Sequence, residues 1–263
     1  PANITNDNGF SYAVKNNGKR TVKFTNPDYA FDEVTDKNGK ACKKPIFSNS
    51  SSISAVGNPD LPSRTTFIAV DPSKSYSLQV YYGSSRVIEN IDIAPKGDWN
   101  DIGSDQSISE TNFSSTESFY PSSIAFLSEP MALRELSLVS LTVSPFRYFP
   151  QEKRLEEFMD IEVELVETGS RESISFFPNK RSRAFEPLYE SLVENYSSLN
   201  RENIPYQRPS ILYVLPSNIG NLLGTVEVLM NWKRRMGYEV NYVSSSAIVN
   251  NANNLKNYIE TAY

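Results

Sequence analysis

The chain has 263 residues, with 26 basic and 31 acidic side chains, one cysteine and no histidine. Without histidine it lacks the commonest general base near neutral pH and the commonest metal ligand, which excludes a Cys–His dyad and a Cys/His zinc site within this chain. The net charge of −5 has the wrong sign for a duplex nucleic-acid binder. We therefore expect no nucleic-acid partner, no bound metal and no cofactor.

Residues 1–178 read as short strands separated by turn-forming residues. The strand candidates are rich in β-branched and aromatic residues. They are Thr21–Phe24, Thr66–Val70, Tyr76–Tyr82, Arg86–Ile93, Leu136–Val143 and Phe158–Val166. Short strands at intervals of about ten residues favour a mainly β architecture, either a β-sandwich or a jelly roll.

The links between these strands carry their own predictions. Gly83-Ser84-Ser85 is a short link with glycine, which predicts a hairpin between the strands on either side of it. Residues 95–120 are polar and predict a long loop, and Pro145–Pro150 predicts a rigid aromatic turn. Within Phe158–Val166, apolar residues alternate with acidic ones, so we expect a half-buried strand with an acidic outer face.

The pattern changes after Pro178. Residues 179–209 contain a helix with apolar spacing over Phe185–Leu199 and a polar connector with two prolines. Residues 210–263 follow the order β-α-β-α, and the strand Ile211–Leu215 is apolar throughout, as in parallel strands buried on both faces. The first helix of this part can be capped by Ser217 or Asn218. Because two parallel strands cannot cover their own faces, this part is expected to be a truncated α/β segment.

Several segments resemble one family of enzymes. Ile211–Pro216, Leu229–Lys233, Gly237–Val240 and Leu255–Ile259 resemble the start of the catalytic domain of gingipain-type cysteine peptidases, family C25. Further segments resemble the N-terminal prodomains of that family, which carry a Gly-x-Pro-x-Leu-Pro motif; they are Gly57–Pro62 and Pro145-x-x-Tyr148-x-Pro150. An Arg-Gly pair usual in the family is replaced here by Arg134-Glu135.

The resemblance implies a division of the chain and a role for it. Residues 1–178 would be a β-sandwich prodomain that keeps a peptidase latent and assists its folding, 179–209 a helix and a connector with the maturation site, and 210–263 the start of the α/β catalytic domain. The catalytic His and Cys would lie beyond Tyr263, so we expect no catalytic residue here and no activity of the chain alone. The implied partners are its own catalytic domain and the protein substrates of the parent enzyme.

The resemblance also implies two kinds of functional arginine. Maturation would follow a basic residue in an exposed, unstructured connector, with Arg201 as first choice and Arg208 and Arg183 behind it. The prodomain would keep the enzyme latent by substrate mimicry, in which an arginine on a loop is presented to the specificity pocket. Arg64, Arg86 and Arg183 are candidates for this arginine. For each arginine the plain alternative is a solvated side chain. Gly57–Pro62 is either an inhibitory finger or a turn whose backbone only Gly and Pro satisfy.

Two other features admit a functional interpretation. Cys42 has three lysines close by in sequence, which can lower the pKa of a thiol, but an incidental thiol near a turn is favoured. An acidic set suggests a calcium site, but its spacing fits no known ligand loop and a solvated loop is favoured. This set consists of Asp92, Asp98, Asp101 and Asp105.

Two other functions remain open at this stage. One is the sortase-like C25 protein of the type IX secretion system. The other is a β-sandwich module for adhesion or carbohydrate binding, in which Tyr81, Tyr82 or Tyr148 would stack on sugars; the α/β tail argues against it. A serine- and asparagine-rich composition suits a secreted or cell-surface bacterial protein. The sequence has no signal peptide and starts at Pro1 as a trimmed mature form or an expressed fragment would, and no apolar run approaches the roughly 20 residues that span a bilayer.

Overall fold

The structure is a computed structural model that describes residues 8–35, 39–97, 118–172 and 180–262. The described part is mostly β-strand, arranged in several antiparallel sheets. The strands up to residue 97 are β1 (Phe10–Val14), β2 (Arg20–Phe24), β3 (Tyr29–Thr35), β4 (Ala41–Phe47), β5 (Ser51–Ser52), β6 (Pro62–Ala69), β7 (Lys74–Tyr81) and β8 (Ser84–Ile88). The strands over 118–172 are β9 (Ala125–Leu127), β10 (Met131–Leu133), β11 (Leu136–Val143), β12 (Phe146–Phe149), β13 (Arg154–Met159) and β14 (Ile161–Ser170).

Two larger sheets share one apolar core. The first has the order β1-β2-β14-β7 and the second the order β10-β11-β6-β5, with β9 also paired to β11. The first sheet contributes Val22 and Val163 to the core cluster, and the second contributes Ile68, Val139 and Leu141. Each of these side chains is at most 1% exposed. Since burial of such a side chain is worth about 1.5–3 kcal/mol, this cluster is a main source of stability.

A three-stranded sheet and a hairpin enclose a second apolar cluster. The sheet has the order β12-β13-β8, and β3 pairs with β4. Phe146, Tyr148 and Leu155 from the sheet pack with Phe47 from the hairpin and with Leu61. The expected aromatic turn at Pro145–Pro150 is therefore wrong, because residues 146–149 pair with β13 as a strand.

The predicted hairpin across Gly83 is also wrong. β7 pairs with β14 in the first sheet, whereas β8 pairs with β13 in the three-stranded sheet. The chain between β7 and β8 therefore passes from one sheet to another instead of folding back. The predicted strand Phe158–Val166 is divided in the same way, because β13 ends at Met159 and β14 begins at Ile161.

The outer face of β14 carries acidic side chains, as its alternation predicts, and cations from the β1–β2 hairpin face them. Lys15 pairs with Glu162 in a close contact, and Lys19 Nζ lies 2.9 Å from Glu164 Oε2. Val163 between these two carboxylates is fully buried in the first cluster. The acidic face is less exposed than the alternation predicts, because Glu164 is only 8% exposed, and its negative charge is offset by these two lysines.

The predicted helix over Phe185–Leu199 is shorter in the structure. Helix α1 covers Glu186–Leu192 and is followed by a 3₁₀ turn at Tyr196–Ser198. The helix stops because the next residues pair with β6: the Asn195 side chain accepts a hydrogen bond from Ala69 N (2.8 Å) and donates one to Ala69 O (2.9 Å). The two hydrogen bonds between the Asn195 side-chain amide and β6 therefore take the place of a further helical turn.

The chain divides into two compact units. The first comprises Pro1–Ile174 and Tyr189–Leu199, and the second Ser175–Leu188 and Asn200–Tyr263. The second unit contains β15 (Ser210–Val214), α2 (Leu222–Arg235), β16 (Glu239–Val243), α3 (Ser246–Val249) and α4 (Ala252–Ala262). Of the helices in the described ranges, none combines the length and the apolar character that crossing a membrane requires.

Strands β15 and β16 are parallel, with α2 between them in sequence. Helix α2 begins at Leu222 after Asn221, so the expected cap at Ser217 or Asn218 is wrong. The helix ends before Gly237, which has φ of +93°, a conformation that glycine adopts at little cost. No residue of β15 is fully buried, contrary to the expected strand buried on both faces.

Candidate functional site

The segment Gly57–Pro62, which the sequence marks out, lies inside the fold. Its backbone pairs with residues 94–96: Gly57 N donates to Lys96 O (2.9 Å), Asp60 N to Ala94 O (2.8 Å) and Lys96 N to Asn58 O (2.7 Å). Residues 59–64 are all buried. A segment that is hydrogen-bonded and buried in this way does not project from the surface towards a partner. The structure therefore favours the interpretation of Gly57–Pro62 as a turn over that of an inhibitory finger.

Asp60 is the charged centre of this segment, and sequence reasoning missed it. It is 4% exposed. Its carboxylate accepts a hydrogen bond from Ser52 Oγ at 2.6 Å and lies 2.7 Å from Lys44 Nζ and 3.8 Å from Lys96 Nζ. A buried carboxylate needs such partners, so Asp60 links its own segment to Lys44, Ser52 and Lys96.

Arg64, the first inhibitory candidate, is not on a loop. It belongs to β6 and is 6% exposed. Its Nη2 donates to Ser48 O at 2.8 Å, and its guanidinium carbon lies 5.4 Å from the centre of the Phe47 ring. A Cβ added at Gly9 would lie 3.2 Å from Arg64 Nη1, which shows how closely the chain packs around this side chain. Arg64 therefore links Ser48, the residue after β4, to strand β6 in the interior of the protein.

Arg86, the second inhibitory candidate, lies on β8 rather than on a loop, and its side chain is 57% exposed. Its Nε donates to Glu157 Oε2 at 3.0 Å, and its Nη2 donates to Tyr29 OH at 2.6 Å. Glu157 also accepts bonds from Tyr29 OH (3.1 Å) and Asn26 Nδ2 (3.2 Å). A groove of about 800 Å³ runs beside this group.

The Glu157 group has the electrostatics of a buried carboxylate held by polar partners. Glu157 is 4% exposed. Burial, followed by the charge of Glu157, raises the pKa of Tyr29. The hydroxyl therefore stays protonated and can donate to the carboxylate. The arrangement keeps Arg86 at the rim of the groove, where its outer edge remains accessible.

The three maturation candidates differ in exposure. Arg183 and Arg208 are exposed, as expected for a connector. Arg201 is 7% exposed, so the expectation that it lies in an exposed, unstructured connector is wrong. Its carbonyl oxygen accepts hydrogen bonds from Ile204 N (3.0 Å) and from Arg181 Nη1 (3.3 Å). These bonds order the connector around the residue that the sequence favours for cleavage.

The structure separates the three tyrosines that the sequence proposes for sugar stacking. Tyr148 is 5% exposed, and its hydroxyl donates to Ile91 O at 3.1 Å, so it is a core residue. Tyr81 and Tyr82 are 49% and 54% exposed. Tyr82 packs edge-on against Phe158, with ring centres 4.7 Å apart. Only two of the three rings are therefore accessible to a ligand.

The environment of Cys42 gives no support for a reactive thiol. The thiol is buried, 6% exposed. The Lys40 and Lys44 ammonium groups are each 2.7 Å from a carboxylate, of Asp92 and of Asp60. Part of the charge of each lysine is therefore offset by a carboxylate rather than directed at the sulfur alone.

Asp92 alone of the predicted acidic set is described. It lies in ion pairs with Lys40 (2.7 Å) and Lys153 (3.2 Å) rather than with other carboxylates. Asp98, Asp101 and Asp105 lie outside the described residues. Within the described ranges, no group of three or more His, Cys, Asp or Glu side chains is placed to hold a metal ion.

Comparison with known proteins identifies relatives of this chain. The family model Propeptide_C25 matches residues 11–196. Gingipain R2 of Porphyromonas gingivalis is 27% identical over 251 residues, which is 92% of this chain and 33% of that protein. Gingipain R1 of the same organism is 24% identical over 250 residues, again 92% of this chain and 25% of that protein. The chain thus spans about a third or less of the curated relatives that it matches.

A solved structure has the same fold over most of its length. It is the complex of the pro- and mature domains of RgpB from Porphyromonas gingivalis. The match has a TM-score of 0.62 at 23% identity, and covers 73% of this chain and 98% of the matched one.

Proposed function

This chain belongs to the C25 propeptide family, and we propose that it is the N-terminal prodomain region of a gingipain-like cysteine peptidase, which it keeps latent and helps to fold. The observation that carries the proposal is the family match over residues 11–196. The two curated relatives, which align over nearly the whole chain, are much longer than it and support a parent enzyme that continues beyond it.

The proposed domain organisation has three parts. Residues 1–178 form a β-sandwich prodomain, supported by a core cluster to which both larger sheets contribute. Residues 179–209 form the helix and connector with the maturation site. Residues 210–263 begin an α/β catalytic domain, supported by the parallel pair β15–β16 and the helices α2 and α4.

The chemistry of the parent enzyme is carried by residues outside this chain. A cysteine thiolate, activated by a histidine, would attack the carbonyl carbon of a peptide bond in its protein substrates. This chain has no histidine and its one thiol is buried, so by itself it cannot perform that reaction. Its partner is its own catalytic domain, and its proposed location is outside the cell or at the cell surface.

The geometry distinguishes the inhibitory candidates, among which the sequence does not choose. Arg64 cannot enter a partner's specificity pocket without leaving the core, whereas Arg86 presents an accessible guanidinium at the rim of a groove. Arg183 is exposed as well. We therefore rank Arg86 first, Arg183 second and Arg64 last.

The maturation candidates keep their original order for a chemical reason. The bond after Arg208 precedes Pro209, which has no backbone N–H and a fixed φ, and is therefore a poorer protease substrate. Arg201 stays first, with Arg208 and Arg183 behind it, although its burial means that cleavage there requires local opening.

Neither alternative function is favoured. The sortase-like C25 protein has no observation in its support beyond the shared family. The carbohydrate-binding alternative is weakened because Tyr148 is buried and cannot stack on a sugar.

The proposal is tested by adding the 263-residue chain to the mature peptidase of the parent protein and following hydrolysis of a fluorogenic arginine substrate. We expect tight inhibition, weakened by Arg86→Ala. The control is Arg171→Ala, an arginine that pairs with Glu129 away from the groove and leaves inhibition unchanged. Absence of inhibition at micromolar concentration by a folded chain would contradict the latency role.

A further inference from the structure

Arg181 organises the connector through its backbone. Its N–H donates to Pro205 O at 2.9 Å, and its carbonyl oxygen accepts from Gln207 N at 2.8 Å. These two bonds form an isolated parallel bridge between Arg181 and Tyr206. This bridge joins the connector after residue 200 to the segment that precedes α1.

The guanidinium of Arg181 adds three contacts on the same side. Its Nε and Nη2 donate to the two oxygens of Glu186 at 2.9 Å and 3.0 Å, a bidentate pair. Its Nη1 donates to Arg201 O at 3.3 Å. Its central carbon lies 4.5 Å from the centre of the Tyr206 ring. Two parallel bonds between a planar guanidinium and a carboxylate fix the orientation of the side chain, which aims the third donor at the Arg201 carbonyl.

These contacts are shielded from water. The side chains of Arg181 and Glu186 are 19% and 13% exposed, so salt screens their interaction less than that of a surface pair. Arg201 is 7% exposed, and neighbouring Ser182 is also 7% exposed. A protease must bind the scissile bond in an open, extended segment, and a backbone carbonyl that is already bonded within the protein cannot be presented in that form.

We propose that Arg181 and Glu186 form a clasp that keeps the bond between Arg201 and Glu202 closed to proteolysis, so that cutting there requires the clasp to open first. Cutting adds one water across that bond and leaves a carboxylate on Arg201 and an amine on Glu202. The inference deepens the proposed maturation site, and its meaning for maturation rests on the proposed function. The clasp itself is a property of this chain and is testable without the parent enzyme.

The test is limited digestion of the 263-residue chain by an added arginine-specific protease, with new N termini identified by mass spectrometry. Arg181→Ala is expected to raise the rate of appearance of the Glu202 N terminus by about tenfold or more, since charge-assisted hydrogen bonds of this kind bias the closed state to that degree. Cuts at the other arginines in the same digest serve as the reference rate. Glu186→Gln, which leaves Arg181 in place but removes the orienting charge, is expected to raise the rate by a smaller factor.

The matched control is Arg183→Ala. Arg183 lies over the same Tyr206 ring at 5.0 Å, but the bond to the Arg201 carbonyl belongs to Arg181. An unchanged Glu202 rate in Arg183→Ala, together with the increase in Arg181→Ala, supports the clasp. Equal rates in wild type, Arg181→Ala and Glu186→Gln overturn it, and so does an equal increase in Arg183→Ala. Circular dichroism identifies a variant that fails to fold, and Glu186→Gln then decides. Because the protease is added, a failed clasp leaves the latency test untouched, and a failed latency test leaves the clasp standing.

Discussion

Gly83 and Asp160 lie against each other at the place where two neighbouring chain segments pass from one sheet to another. A Cβ at Gly83 would lie 3.1 Å from both Cβ and Oδ2 of Asp160. Gly83 N donates to Met159 O at 3.0 Å, which joins the two crossings. Asp160 itself has φ of +54°, the left-handed conformation in which a short polar residue is tolerated best after glycine. The absence of a side chain at position 83 therefore allows both segments to cross together.

Replacement of Gly83 by alanine is predicted to destabilise the protein by about 1–2 kcal/mol, because the added methyl group forces the crossing segments apart. Urea denaturation followed by circular dichroism measures the change. Gly97→Ala is the matched control, since a Cβ there meets nothing within 4 Å. Equal stabilities of the two variants would contradict a packing role for Gly83.

This crossing also shows what the sequence could and could not predict. The bounds of β11 follow from residue type and periodicity, because the strand predicted over Leu136–Val143 has the bounds that the structure has. Strand pairing depends on residues far apart in sequence, so Gly83-Ser84-Ser85 resembles a hairpin link although its two strands pair elsewhere. Local turn chemistry cannot distinguish a reversal from a crossing.

The arginines show a second limit of sequence reasoning. Arginine is almost never fully buried unless it is paired, so sequence alone predicts exposed positions for Arg64 and Arg201. Their burial depends on partners such as Ser48 O, which no local pattern reveals. For Arg181 a local signal did exist, because Glu186 lies five residues further on. The family resemblance, by contrast, is visible in short motifs, and the family match over residues 11–196 confirms it.

The pair of Arg86 and Glu157 is predicted to be coupled energetically by about 1 kcal/mol, a value reduced by the exposure of the arginine. A double-mutant cycle of Arg86→Ala and Glu157→Gln, measured by urea denaturation, gives this coupling. Glu157→Gln alone is expected to cost about 1–3 kcal/mol, because Tyr29 and Asn26 lose a charged acceptor in a buried place. In the same variant the pKa of Tyr29 is expected to fall, since burial still raises it but the charge of Glu157 no longer does. Additive single changes would indicate that the contact contributes nothing to stability.

Asp92 is predicted to make the stability of the protein decrease as the pH falls into the acid range. Burial by itself would raise the pKa of Asp92, but its hydrogen bonds and ion pairs with Lys40 and Lys153 outweigh burial and lower it. The folded pKa thus lies below the unfolded one, so this stabilisation is present above the unfolded pKa and is lost as pH falls through the folded pKa. Asp92→Asn is expected to be less stable than wild type at pH 7, with a difference that shrinks in acid. A difference that stays constant with pH would contradict this assignment.

Glu194 is predicted to give the stability of the protein the opposite dependence on pH. Burial raises the pKa of Glu194 and outweighs the hydrogen bonds that its Oε2 accepts from Asn8 Nδ2 (3.3 Å) and Thr66 Oγ1 (3.2 Å). Because the folded pKa lies above the unfolded one, the folded state binds the proton more tightly, and stability from this group is present at low pH and lost as pH rises through the folded pKa. Glu194→Gln keeps an oxygen that accepts both bonds and removes the charge that burial penalises.

The variant Glu194→Gln is therefore expected to be more stable than wild type at pH 7 and equal to it in acid, below the unfolded pKa of a glutamate. Thermal unfolding at a series of pH values measures the difference, and Glu172→Gln is a control for a general effect of removing one negative charge, since Glu172 is exposed. A gain in stability in both variants would point to net charge. A loss at pH 7 in Glu194→Gln alone would mean that the carboxylate is stabilised where it lies, and that its hydrogen bonds outweigh burial.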